Sequence, residues 1–212
     1  MSSKQDGAPG DDEILALGRE HLSDARLYAD RQHMIDSIGP EKLGSVAEIG
    51  VALGDFSTAL IARYNPDIFY AIDIFTLHEY QKLWGQETAK LLQGRTHSEV
   101  YLDRMRPYLD RLAIRQGDGA EELGKLQDAS LDLIYIDGSH HYTDVVRDSA
   151  AARKKIRPGG LLIFNDYIIW SHLEGIPYGV IPVVNDLVVN GGGRIVGFAL
   201  HPNMYADIAI RM

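Results

Sequence analysis

The sequence predicts an α/β fold, a mostly parallel sheet with helices on both faces and an antiparallel hairpin at its C-terminal end. Two observations predict it. Short apolar runs alternate with helix-compatible stretches through the middle of the chain, the pattern of strands joined by crossover helices. The last two apolar runs, Arg194 to Leu200 and Ala206 to Met212, are separated only by a turn containing His201-Pro202-Asn203, too short to return a strand in parallel.

The elements follow in order. Met1 to Asp12 is polar, with Gly7, Pro9 and Gly10, and reads as a flexible tail ahead of a single domain over residues 13–212. From Asp11 to Ile38 the apolar positions Ile14, Leu15, Leu17, Leu22, Ala25, Leu27 and Tyr28 fall largely at helical spacings, which predicts one or two amphipathic helices covering the fold within residues 13–40. Residues 41–167 form the ligand-binding core. Its candidate strands are Val46 to Val51, Phe69 to Ile74, Ala113 to Gln116, Leu131 to Asp137 and Gly160 to Asn165. Between the second and third, His78 to Asp110 is longer than one crossover needs and is expected to carry an extra helix near an acceptor. Residues 168–212 supply a loop and the terminal hairpin.

Composition excludes several functions. A formal net charge of -9 disfavours a nucleic-acid partner, whose affinity comes largely from clustered Lys and Arg. No window approaches the roughly 20 apolar residues of a membrane span, and no basic-then-apolar leader opens the chain. No membrane partner and a cytoplasmic location are therefore expected. With no cysteine, thiolate chemistry and Cys-ligated zinc are excluded, and any metal must use oxygen or imidazole ligands.

The chemistry concentrates where the chain leaves the strands. Glu48-Ile49-Gly50-Val51-Ala52-Leu53-Gly54-Asp55-Phe56-Ser57 follows the first strand and enters a helix, Thr58 to Tyr64. Gly50 and Gly54 allow a sharp turn and a close approach to a ligand. A tight turn with no ligand uses the same residues, and Ala52 stands where G-x-G-x-x-G has its middle glycine. Asp73, at the end of the next strand, lies about 20 residues beyond the glycines, the offset at which an acid binds ribose hydroxyls. After the third strand, Gln116-Gly117-Asp118-Gly119-Ala120 offers Asp118 as an acceptor for an exocyclic amine such as that of adenine and, compatibly, as the N-cap of a helix from Ala120 to Leu126.

Glu48/Gly50/Gly54, Asp73, Asp118 and Asp137 stand at four strand ends in an order that resembles class I S-adenosylmethionine-dependent methyltransferases. The series Asp137-Gly138-Ser139-His140-His141-Tyr142, Arg157-Pro158-Gly159-Gly160 and Phe164-Asn165-Asp166-Tyr167 resembles more narrowly the branch that methylates hydroxyls of macrolide and aminocoumarin sugars. The resemblance spans about Ser45 to Tyr167. It implies a Rossmann-like seven-stranded sheet. It also implies S-adenosylmethionine as cofactor, with Glu48, Gly50, Gly54 and Ser57 around the methionine moiety, Asp73 on the ribose, Asp118 and Gly119 at the adenine, and Asp137 beside them. The partner implied is a small-molecule acceptor, and relatives often form homo-oligomers.

In some members of that branch a magnesium ion orients acceptor hydroxyls, and its ligands map to Asp137, Asn165 and Asp166. Carboxylate and amide oxygens suit a hard cation, whereas Asx residues also satisfy loop backbone groups. Ser139 and Asn165 replace acids found in relatives, so the site here is less charged. His140 is the candidate general base, since imidazole suits proton abstraction near neutral pH. His141 is expected to pack or to meet solvent. The Gly175-Ile176-Pro177-Tyr178-Gly179 loop is a candidate closure over the acceptor.

Two other readings compete. An NAD(P)-dependent oxidoreductase shares the glycine loop and downstream acid, but the missing G-x-G-x-x-G spacing and the terminal hairpin oppose it. A noncatalytic S-adenosylmethionine-binding module keeps the fold without turnover, and the joint presence of Asp137, His140, Asn165 and Asp166 opposes that.

Overall fold

The computed structural model describes residues 7–10 and 13–212; most of the tail expected over residues 1–12 lies outside the described residues. Eight strands form the main sheet: β1 (Arg26–Tyr28), β2 (Ser45–Ile49), β3 (Ile68–Asp73), β4 (Leu112–Gln116), β5 (Leu131–Ile136), β6 (Ile156–Phe164), β7 (Arg194–Leu200) and β8 (Ala206–Arg211). The helices used below are α1 (Arg31–Ser37), α2 (Asp55–Tyr64), α3 (His97–Arg104), α4 (Gly119–Gly124), α5 (Tyr142–Lys155) and α6 (Val180–Val189). The spatial order is β1-β7-β8-β6-β5-β2-β3-β4. From β6 to β4 all neighbours run parallel, and β8 runs antiparallel to both β6 and β7.

The sequence accounts for this layering. All six residues of β5, Leu-Asp-Leu-Ile-Tyr-Ile, are buried, as expected of a central parallel strand covered on both faces. Two apolar layers result. One face of the sheet joins Val46, Leu133, Tyr135 and Ile163 to Leu60, Ile61 and Tyr64 of α2, and the other joins Ala47, Ile134 and Leu162 to Val145 and Ala152 of α5 and Val184 of α6. Each fully buried Leu or Ile contributes about 1.5–3 kcal/mol. Asp132 is the exception within β5. It sits at the opposite end of the sheet from the candidate site, accepts from the backbone N–H groups of Gly44 and Ser45 and pairs with Arg157, so its burial is compensated.

Two expectations are corrected. The segment before the core holds one helix of the one or two expected, and the positions Ile14 to Tyr28 that suggested helical spacing lie outside it. It holds a 3-10 turn at Arg19–Leu22, then β1, then the short helix α1. The strand β1 pairs in parallel with β7, Leu27 opposite Phe198, and so adds an eighth strand to the seven expected. Three residues are too few for a periodic signal, which is why helical spacing misled. The long segment after β3 does carry an extra helix, α3, preceded by a small hairpin, Lys82–Leu83 with Gln86–Glu87, and a helical turn at Thr88–Leu91. No helix among the described residues is long and apolar enough to cross a membrane.

Candidate active site

Parallel β2, β3, β4, β5 and β6 deliver their following residues to one edge of the sheet, the edge at which open α/β sheets bind ligands. Because β8 is antiparallel, its beginning, with Asp207, reaches the same edge. Glu48, Asp73, Asp118, Asp137, Asp166 and Asp207 thus gather from six strands.

The glycine loop is built by its neighbours. Gly50 has φ +80, and a Cβ there would lie 2.0 Å from the carbonyl oxygen of Asp137. Close approach of two chain segments therefore explains this glycine without invoking a ligand. Ala52, at the position of the missing middle glycine, itself adopts φ 44, so the backbone takes a glycine-like left-handed conformation at alanine's steric cost. His97 of α3 holds it, its Nε2 bonded to the Ala52 carbonyl. Gly54, at φ +84, begins α2, and Asp55 places a carboxylate in the positive first turn.

Beneath the loop, Glu48 is 1% exposed and accepts from the Ser57 hydroxyl, to which the Tyr101 hydroxyl donates at 3.1 Å. Burial pushes the Glu48 carboxyl up to about 8, against the opposing hydrogen bond from Ser57, so it is largely protonated at neutral pH. Glu48 and Ser57 thus support the loop from inside. A carboxyl raised on folding costs stability as pH climbs from its unfolded value near 4.5 to its folded value near 8. Glu48→Gln, which mimics the protonated form, is expected to melt close to wild type at pH 5 and increasingly above it toward pH 8, as thermal unfolding across that range would record.

Asp73 closes β3. Its Oδ2 accepts from the Val51 N–H at 2.9 Å and its Oδ1 from the Phe75 N–H at 2.7 Å. Each carboxylate oxygen has two lone-pair sites, so one on each remains for a further donor. That pair of acceptors fits a ribose diol. The carboxylate is also tied to the glycine loop through Val51, which links two strand ends that the sequence offered separately.

Asp118 is occupied differently. It caps α4 by accepting from the Glu121 N–H at 3.1 Å and takes both terminal nitrogens of Arg147, at 3.2 and 3.0 Å. Both readings of this residue stay compatible, and the cap is the one realised here. Gly119 lies where a Cβ would meet Ile49 and Asp148.

On the other side of the loop, Asp137 and Asp166 flank His140. The imidazole Nε2 lies 3.9 Å from Asp137 Oδ1 and 3.7 Å from Asp166 Oδ2. It is buried without a hydrogen-bond partner among the described residues. Its ring stacks on Tyr178 at 4.5 Å, nearly parallel, and its carbonyl accepts from the Gly179 N–H at 2.8 Å. The Gly175–Gly179 loop therefore packs directly on the candidate base. Tyr178 in turn donates to Glu174 at 2.8 Å. Burial lowers the imidazole to about 4 and raises Asp166 to about 7; burial likewise raises Asp137 well above the ordinary carboxylate range, against the opposing charge of Arg31. The imidazole is neutral at physiological pH. Ser139 donates to Asp144 at 2.6 Å and stays out of this group.

The residues of the expected magnesium set hold other partners. Asn165 donates from its Nδ2 to the Tyr135 hydroxyl at 3.3 Å and to Asp207 Oδ1 at 3.2 Å, bonds that orient the amide and leave its Oδ1 outside them. Arg31 already places a guanidinium 3.8 Å from Asp137 Oδ2. Among the described residues no cluster of three His, Cys, Asp or Glu side chains is arranged to hold a metal. Asp137, Asn165 and Asp166 share this edge, with Arg31 beside Asp137 and His140 between Asp137 and Asp166.

Sequence reading missed the buried support of this half of the site. Tyr135 donates to Asp207 Oδ2 at 2.6 Å, and Arg31 Nη1 lies 3.4 Å from the Tyr135 hydroxyl. An acid inside the apolar run Ala206 to Ile210 was the available signal, since an acid in a buried strand requires a partner. Arg31, 104 positions from Tyr135, had none.

Comparison with known proteins agrees with this geometry. Residues 47–167 match the family described as "Methyltransferase domain", more than half of the chain. The uncharacterized protein y4gI of Sinorhizobium fredii is 25% identical over 126 residues, covering 59% of this chain and 12% of that protein; the chain spans only that small share of its relative. Among solved structures, the N-methyltransferase NodS from Bradyrhizobium japonicum WM9, in complex with S-adenosyl-L-homocysteine, superposes with a TM-score of 0.56 at 15% identity, covering 85% of each chain. Spermidine synthase from Thermotoga maritima gives 0.55 at 12% identity, over 90% of this chain and 58% of that one. These two likenesses establish the α/β fold with its C-terminal antiparallel hairpin, and the family match goes further: the chain belongs to the methyltransferase-domain family.

Proposed function

We propose that this chain transfers the methyl group of S-adenosylmethionine to a hydroxyl of a small-molecule acceptor, a sugar or polyketide natural product, with His140 as general base. The observation that carries this reading is the neutral, buried and unpartnered His140 Nε2 on the same sheet edge as the glycine loop and Asp73. NodS, which resembles the chain in fold, was solved with S-adenosyl-L-homocysteine, and the motif series resembles sugar O-methyltransferases.

When bound, S-adenosylmethionine supplies a methyl group made electrophilic by its sulfonium. The chain's residues then have to hold, orient and deprotonate. Asp73 accepts from the ribose hydroxyls through its two remaining lone-pair sites. Asp118, already fixed by Arg147 and the α4 backbone, faces the adenine amine. His140 Nε2 would take the proton of the acceptor hydroxyl as its oxygen bonds the methyl carbon and the carbon–sulfur bond breaks to release S-adenosylhomocysteine, and the stacked Tyr178 keeps the ring oriented. A hydroxyl is a weaker nucleophile than an amine and needs that base, which favours O- over N-methylation. No divalent cation enters this scheme.

The test is methyl transfer from labelled S-adenosylmethionine to a panel of glycosyl and polyketide alcohols beside matched amines. Products bearing the label on oxygen are expected; label confined to the amines would contradict the O-methylation reading.

A further inference from the structure

Helix α5 carries a buried acid that the proposed reaction does not use. Its buried stripe includes Val145, Asp148, Ser149 and Ala152, the i, i+3, i+4, i+7 pattern of a core-facing helix. A carboxylate therefore stands where an apolar side chain is expected. Asp148 is 6% exposed. Burial pushes its carboxyl up to about 7, with Asp118 and Asp144 adding to the rise and Arg147 and the Ala120 backbone opposing it. Placing an acid there costs stability, and acids with such perturbed environments concentrate at functional sites.

The carboxylate lies where two loops of the site edge cross. A Cβ added at Gly119 would lie 2.7 Å from Asp148 Oδ1, and one added at Gly138 would lie 3.7 Å from Oδ2. Gly119 follows Asp118 and opens α4, and Gly138 follows Asp137. The absence of a side chain at Gly119 is what admits the carboxylate, which the Ala120 N–H then favours in its charged form. From the outer side, Arg147 donates both terminal nitrogens to Asp118 at 3.2 and 3.0 Å and lies 3.6 Å from Glu121. Consecutive residues of α5 thus grip the Asp118–Ala120 turn, one through its acid and the other through its backbone.

We propose that Asp148 is a positioning residue that, together with Arg147, clamps the Asp118–Ala120 turn and thereby sets how strictly the site selects adenine over other bases. It acts through the turn and touches no ligand itself. The proposal rests on the cofactor reading above. A base that carries an oxo group in place of the adenine amine would set acceptor against acceptor at Asp118. A clamped turn keeps that opposition in place, whereas a loose one lets Asp118 swing aside and relaxes the rejection.

The test uses S-adenosylhomocysteine and S-inosylhomocysteine, whose base has the oxo group, titrated calorimetrically against wild type and three variants. Asp148→Leu keeps the branched shape without an acceptor, Asp148→Ala removes both, and Asp148→Asn keeps an acceptor oxygen; thermal unfolding shows which of them are folded. Wild type is expected to prefer the adenine ligand by roughly 10- to 150-fold, the worth of a hydrogen bond to a charged group. The Leu and Ala variants should cut that ratio about fivefold or more, the worth of one ordinary hydrogen bond, and Asn should restore most of it. An unchanged ratio in the folded apolar variants, or equal weakening of both ligands, would assign Asp148 to packing and overturn the clamp. If wild type binds neither ligand, the cofactor reading itself fails and takes this inference with it; if wild type binds both equally, only the clamp fails.

Discussion

Replacing His140 by alanine is expected to lower kcat by about 10²- to 10⁴-fold, the usual contribution of a positioned acid–base residue, while leaving affinity for S-adenosylmethionine unchanged. The separation follows from position. His140 lies in the loop after β5 with its Nε2 between Asp137 and Asp166, whereas the residues assigned to the nucleoside end follow β3 and β4. Burial holds the imidazole neutral by lowering it to about 4, which leaves its lone pair unprotonated throughout the physiological range and makes it a weaker base than a solvated imidazole. His140→Gln keeps a polar group of similar reach but no base and should be nearly as slow. Steady-state rates beside a cofactor titration decide the matter: a loss of cofactor affinity that accounts for the whole loss of rate would make His140 a structural residue of the loop.

Asp73→Ala is expected to weaken the cofactor by about 10- to 150-fold for each ribose hydroxyl bond lost to a charged acceptor. Asp73→Asn is the informative companion. Its amide oxygen can still accept one backbone N–H, so much of the loop geometry survives, but it cannot offer two charged acceptors to a diol. A role in the loop alone predicts that Asn rescues most of the affinity; ribose binding predicts that both variants bind poorly. Thermal unfolding separates the two contributions, because losing the bonds to Val51 and Phe75 destabilises the alanine variant even without ligand.

The core was largely legible in the sequence because its signals are local. Strands β2 to β8 appear within a few residues of the apolar runs that predict them, and the turn at His201-Pro202-Asn203 forces the antiparallel pair β7 and β8. The strand-end acids converge because parallel strands present their C-terminal ends to one edge. What stayed hidden is non-local. Tyr135 and Asp207 lie 72 positions apart, and no spacing rule connects them. Their bonds to the Nδ2 of Asn165 orient that amide, a link its motif does not reveal. Ala52 reads as a departure from a glycine motif, yet its left-handed backbone shows that His97, from a helix 45 positions on, holds the same turn by other means. The strand β1 is legible only as a partner of β7. Helical spacing over Ile14 to Tyr28 was coincidental, and the short strand found there and the helix α1 that follows it exist by docking on the sheet rather than by propensity.

The account stands on cofactor binding along the sheet edge between Asp118 and Asp137. A crystal structure of the chain grown with S-adenosylhomocysteine measures that directly. The ribose is expected on Asp73, the adenine beside Asp118 and the methionine end over the Gly50–Gly54 loop; a ligand bound elsewhere, or none at saturating concentration, would contradict the account.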